Sequence, residues 1–145
     1  MKIMKYICLA FVLFFFSCTK PTLTGHWKCN KTGTVKAMDK NQQIKTAPIT
    51  ELYDLLKLQS LEFVFFEDGS AKSISTEIHG KVSELSFKVY TNHEGYASKY
   101  LLRDDTNHDE DIIMTLKSLT KEKMEASFDM VEDDMTMDLK MDRID

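Results

Sequence analysis

The run Met135-Thr136-Met137-Asp138-Leu139-Lys140-Met141-Asp142 places an apolar side chain at every second position and a polar one between. Successive side chains of a strand point to opposite faces, so a run of this kind has one dry face and one wet face. The same period of two recurs at Leu61, Phe63 and Phe65, at Leu85, Phe87 and Val89, and at Met124, Ala126, Phe128 and Met130. Short turn signals separate the runs: Asp68-Gly69, His79-Gly80-Lys81, Thr120 to Lys123, and Glu132-Asp133-Asp134. Links this short favour sequential antiparallel neighbours. Strands are expected near 24–30, 33–38, 61–67, 71–78, 82–91, 97–103, 112–119, 123–131 and 134–143, the second on the weakest pattern because 31–46 is mostly polar. One segment departs from the alternation. After Pro48, the residues Ile49, Leu52, Tyr53 and Leu56 fall at helical spacing, which predicts a short amphipathic helix over 49–58, either plugging a barrel mouth or packed on one end of the sheet. Strands with one dry face, in meander order, hide it by closing or by stacking. Sequential hairpins favour closure. The expected fold is all-β: a small antiparallel up-and-down β-barrel of about eight strands with one short helix.

The N-terminus follows the three-part grammar of an export signal. Lys2 and Lys5 supply positive charge, Ile7 to Phe16 an apolar run, and Ser17 a small residue before Cys18. The run is roughly ten residues, about half of the ~20 that cross a bilayer as a helix. Ser17-Cys18 in this position resembles a lipobox, with Phe15 and Phe16 as departures from the commoner residues there. Loose lipoboxes of this kind are similar to those of Bacteroidetes lipoproteins. The resemblance implies a signal peptide over 1–17, a diacylglycerol on the sulfur of Cys18, a short tether over 18–22 and a folded domain over 23–145. It also implies an outer-membrane lipoprotein facing the periplasm, because no acidic run of the surface-export kind follows the cysteine. An ordinary signal peptide with an incidental cysteine, or an uncleaved anchor, is the competing reading.

Removing Lys2 and Lys5 takes the net charge from −4 to −6 over a mature part of about 128 residues, enough for one domain. That balance argues against nucleic acid, whose phosphates need a basic face, and against electrostatic adhesion to anionic lipid. With Cys8 in the signal and Cys18 lipidated, Cys29 is the one thiol left, so no intrachain disulfide is expected.

Leu23-Thr24-Gly25-His26-Trp27 opens the first strand, and its Gly-x-Trp resembles the lipocalin signature. The run Leu61 to Phe65 followed by Asp68-Gly69, the hairpin Ile113 to Met124, and the closing Asp142-Arg143 are similar to small lipocalin-like lipoproteins of Bacteroidetes. The resemblance implies a barrel with an apolar cavity and no catalysis. It further implies that Trp27 packs at the closed end with Arg143 across its ring. The longer strands and further signature segments of larger members are missing, which puts a large cavity in doubt.

Other constellations have plainer readings. Asp104 to Asp111 carries five carboxylates in eight residues, but lacks the glycine-turned frame of a calcium loop and reads as a solvated hairpin tip. The methionines of the last third could offer thioethers to Cu(I), yet their period of two places them in a core or a cavity wall. The four histidines share no metal spacing, and no nucleophile frame or phosphate-binding loop is present. The chain is therefore expected not to be an enzyme and to hold no metal or cofactor. Two functions remain. The first is a binding protein for a small apolar ligand, its cavity lined by Phe63, Phe65, Phe87, Phe128, Met130, Met137 and Leu139. The second is an envelope interaction module with a filled barrel and an unspecified protein partner.

Overall fold

The computed structural model describes residues 21–39, 41–91, 99–104 and 111–145. The expected signal peptide and the lipid-bearing Cys18 lie outside the described residues, as do residues 105–110 of the acidic run.

Among the described residues ten strands form one sheet: β1 (Gly25–Cys29), β2 (Thr34–Met38), β3 (Ile44–Pro48), β4 (Leu58–Phe65), β5 (Ser70–Glu77), β6 (Val82–Thr91), β7 (Lys99–Arg103), β8 (Ile112–Leu119), β9 (Lys123–Met130) and β10 (Met135–Arg143). One helix, α1 (Ile49–Leu55), stands between β3 and β4. Around the sheet the order is β1-β4-β5-β6-β7-β8-β9-β10, every neighbouring pair is antiparallel, and β10 returns to β1. This closes an eight-stranded barrel, and closure leaves β3 of the outlying hairpin as the free edge of the sheet. The fold is the one expected from alternation.

β10 holds the closure together. One edge pairs with β9 along nearly its whole length, from Met135↔Met130 to Asp142↔Lys123. The other edge is shared: its C-terminal end pairs with β1 through Trp27↔Arg143 and Cys29↔Met141, and its N-terminal end pairs with β2 through Met137↔Val35 and Met135↔Ala37. The strands β1 and β2 are thus two halves of one line, broken at Asn30 to Gly33. A Cβ on Gly33 would sit 2.2 Å from the Asp138 carbonyl oxygen, so only glycine lets the chain pass this close to β10. From there β2 turns into β3, a hairpin outside the barrel that the polar 31–46 segment concealed.

Pro48 fixes the backbone at the helix entrance with φ −64°, and the Ile49 N–H donates to the Gly33 carbonyl at 2.8 Å. Glu51 in the first turn suits the positive end of the helix. The apolar face buries Ile49 and Tyr53, while Leu55 and Leu56 stay exposed. The helix ends earlier than its spacing suggests, because Lys57 takes a left-handed φ of 52° and Leu58 already pairs with Glu77 in β4 and β5.

Candidate functional site: the open end of the barrel

At one end the barrel is closed by a layered contact. Trp27 is fully buried, and its indole N–H donates to the Leu23 carbonyl at 2.9 Å. The Arg143 guanidinium carbon lies 4.3 Å from the centroid of the Trp27 rings. Arg143 donates to the carbonyls of Thr22 (2.9 Å), Thr24 (2.8 Å) and Lys121 (2.6 Å), and its Nη1 lies 3.7 Å from the Asp145 carboxylate. One guanidinium therefore ties the segment before β1, the turn after β8 and the C-terminus to a single indole face. Cation–π contact and carbonyl hydrogen bonding use different parts of the group, so both operate together.

Above this base each barrel strand sends one side chain inward to a closed ring: Cys29, Phe63, Ala71, Phe87, Leu102, Met114, Phe128 and Leu139. None keeps more than 4% of its surface exposed. Phe63 and Phe128 stack across the interior with centroids 4.8 Å apart and planes 18° from parallel. Side chains that water cannot reach do not border a water-sized void, so the barrel is filled at this level. Burial also pushes the Cys29 thiol up, reinforced by Glu62, which leaves it protonated and unreactive.

Two residues farther along each strand the same inward face changes character. Leu61, Ser73, Ile112 and Met130 are half-buried, and Leu85 is 47% exposed. On β10 Met137 retains 9% exposure and Met135 is half-buried. Inward-pointing residues that solvent reaches define a mouth. Its floor is the Phe63–Phe128 stack, and α1 covers the flank where β2 departs, with Leu52 half-buried against the core.

The residues expected to line a cavity divide between these levels. Phe63, Phe65, Phe87, Phe128 and Leu139 belong to the filled interior, Met137 to the boundary and Met130 to the mouth. Alternation identifies the inner face but says nothing of depth, so Leu61, Ser73, Leu85, Ile112 and Met135 went unnoticed as mouth residues. Ser73 in particular carries no apolar signal. A hollow of about 300 Å³ lies between the β2–β3 hairpin and β10, bordered by Lys36, Met38, Ile44, Asp129, Asp134 and Thr136 and, on its barrel side, by Met130 and Met135, which it shares with the mouth. The Thr136 hydroxyl donates to Asp129 there at 2.6 Å. Among the described residues no three His, Cys, Asp or Glu side chains gather to hold a metal ion.

No family model matches the sequence, and no curated protein matches it. Among solved structures the chain is similar to a lipocalin-like protein from Bacteroides uniformis, at 10% identity over 84% of this chain and 98% of that one, with a TM-score of 0.49. It is also similar to bovine odorant binding protein in complex with its natural ligand, at 12% identity over 88% of this chain and 76% of that one, TM-score 0.50. The complex of the same bovine protein with undecanal gives 12% identity, the same coverage and a TM-score of 0.51. At such identities the likeness to the bovine barrel is one of fold.

Proposed function

We propose that this protein is a non-catalytic binding protein, tethered to the outer membrane by a lipid on Cys18, that holds a small apolar ligand in the open end of its barrel. The observation that carries the reading is the contrast between the two levels of the interior: a sealed ring, and an open ring whose apolar members Leu61, Leu85, Ile112 and Met130 meet solvent. Apolar side chains left wet on a concave inner wall gain free energy when an apolar ligand covers them, at about 25 cal/mol per Å² buried. The filled floor makes the site shallow, which suits a short chain or a single ring system. The bovine barrel of the same fold is known in complex with undecanal, and this supports a ligand of that size class.

The test is a fluorescence titration of the soluble domain, residues 19–145, with 1-aminoanthracene. Enhancement with a dissociation constant on the order of micromolar is expected, and Leu85→Lys and Met130→Lys should each abolish it. Ile113→Lys, on the outer face of β8, should leave it unchanged. No enhancement, or enhancement indifferent to both mouth variants, would overturn the reading.

A second reading has its own support. The sealed ring makes most of the barrel a solid scaffold, and at the rim the exposed Leu55 and Leu56 lie beside exposed Ile78, whose N–H donates to the Lys57 carbonyl at 2.8 Å. In that case the rim docks a protein of the cell envelope, and Leu56→Lys with Ile78→Lys removes the partner without touching dye binding.

A further inference from the structure

The mouth is not uniformly apolar. The strands β4, β8, β9 and β10 contribute Leu61, Ile112, Met130 and Met135, whereas the β5–β6 hairpin contributes serines. By register Ser73 faces the inside beside Leu85, and Ser75 faces it beside Ser83. On β5 the usual arrangement is inverted at this end, with the aliphatic Ile74 on the outer face and hydroxyls within. A serine side chain covers little of its apolar neighbours, so these positions are not explained by packing. The Ser75 hydroxyl makes one long bond of 3.4 Å to the Ser83 carbonyl, and the described residues offer none to the hydroxyl of Ser73.

Charge narrows the choice of ligand. Among the described residues no Lys or Arg stands inward on β5 or β6 beside the serines: Lys72 and Lys88 lie on the outer face, Arg103 is engaged by Asp111 at 2.8 and 3.0 Å, and Lys31, which follows β1 at this end, holds its ammonium 5.4 Å from the centroid of the Tyr53 ring. Asp104 follows β7 at the same end. An anionic head group placed at the serines would lose hydration, find no cation among its inward neighbours on β5 and β6, and share the mouth with a carboxylate. A hydroxyl or carbonyl would instead find serine hydroxyls that both donate and accept.

We infer that the ligand is an uncharged amphiphile, an alkyl chain lying over the Phe63–Phe128 floor against Ile112 and Met130 with a hydroxyl or carbonyl group held by Ser73 and Ser75. This rests on the ligand-binding reading above. The experiment is displacement of bound 1-aminoanthracene from the soluble domain at pH 8 by 1-decanol, 2-decanone and decanoate. The alcohol and the ketone are expected to displace at concentrations at least tenfold below decanoate. Replacing Ser73 and Ser75 together by Ala should weaken decanol about three- to tenfold, the range of one or two neutral hydrogen bonds, after correction for the dye affinity measured on the same variant; Ser73→Thr, which keeps a hydroxyl, should bind decanol nearly as the unaltered domain does. Decanoate binding as tightly as decanol, or decanol indifferent to the serines, would overturn the assignment while leaving ligand binding itself intact. Failure of the dye to bind the unaltered domain would overturn both.

Discussion

Gly25 occupies φ +145°, a region that side chains rarely adopt, and a Cβ there would lie 2.1 Å from Arg143 Nη1, 3.1 Å from its Cζ and 3.3 Å from the Asp145 carboxylate. Gly25→Ala therefore carries two separate costs. Backbone strain at such an angle is about 1–3 kcal/mol. Expelling the guanidinium from the Trp27 face forfeits a cation–π contact of about 0.5–2 kcal/mol, and its bonds to the carbonyls of Thr22, Thr24 and Lys121 go to water for a net loss of about 1 kcal/mol. Together Gly25→Ala should cost about 3–5 kcal/mol and Arg143→Ala about 2–3 kcal/mol. The two share one cause, so the double variant should fall short of their sum by about 2 kcal/mol, leaving backbone strain as the only part that adds. Urea unfolding followed by circular dichroism and by the fluorescence of the single tryptophan measures all three. Additivity within about 0.5 kcal/mol, or a Gly25→Ala cost below about 1 kcal/mol, would refute the clamp.

Leu139→Asp places an unpaired carboxylate in the closed ring and should cost about 3–5 kcal/mol, whereas Lys140→Ala on the wet face should stay within about 0.5 kcal/mol in the same unfolding assay. Burial pushes the Asp138 carboxyl up, but the Ser127 hydroxyl, the Lys117 ammonium at 3.0 Å and nearby Lys36 outweigh it and hold the group below the usual carboxylate range. Its stabilising share is therefore complete above the unfolded value of about 3.9 and is lost as pH falls through the folded one; the gap between the native protein and Asp138→Asn, about 0.5–1 kcal/mol at pH 7, should hold down to the unfolded value and close below it, and a gap that does not narrow on acidification would contradict the pairing. Cys18→Ser should move the full-length protein from the membrane fraction to the soluble one, and continued membrane association without processing would mean an uncleaved anchor.

Period-two alternation reached the fold because closure of a barrel is the simplest way to hide one face of eight sequential strands. It located β4 to β10 within a few residues, and Gly25, Trp27 and Arg143 were legible as a group because a family resemblance supplied their relation. β3 was not legible: Ile44-Lys45-Thr46-Ala47-Pro48 has no alternation and ends in proline, and the strand exists through pairing with β2 alone. The end of α1 was lost for a similar reason, since Leu56 continues the helical spacing while the pairing of Leu58 with Glu77 pulls the chain into β4. The site was the least legible part. Met124 and Met130 obey one pattern on one strand, yet the first is sealed and the second is open, because depth along the barrel axis depends on strand tilt and on what lies across the interior.

That difference supplies the most direct test of the proposed binding site. The folded domain carries methionines at both levels, with Met124 and Met141 in the sealed interior near the base and Met130 and Met135 at the mouth. With the ε-methyl groups carbon-13 labelled, addition of 1-decanol should shift the Met130 and Met135 resonances saturably while those of Met124 and Met141, and that of Met38 in the hollow beside the β2–β3 hairpin, stay in place. Shifts confined to Met124 and Met141, or no saturable shift at any methionine, would contradict a ligand seated on the Phe63–Phe128 floor.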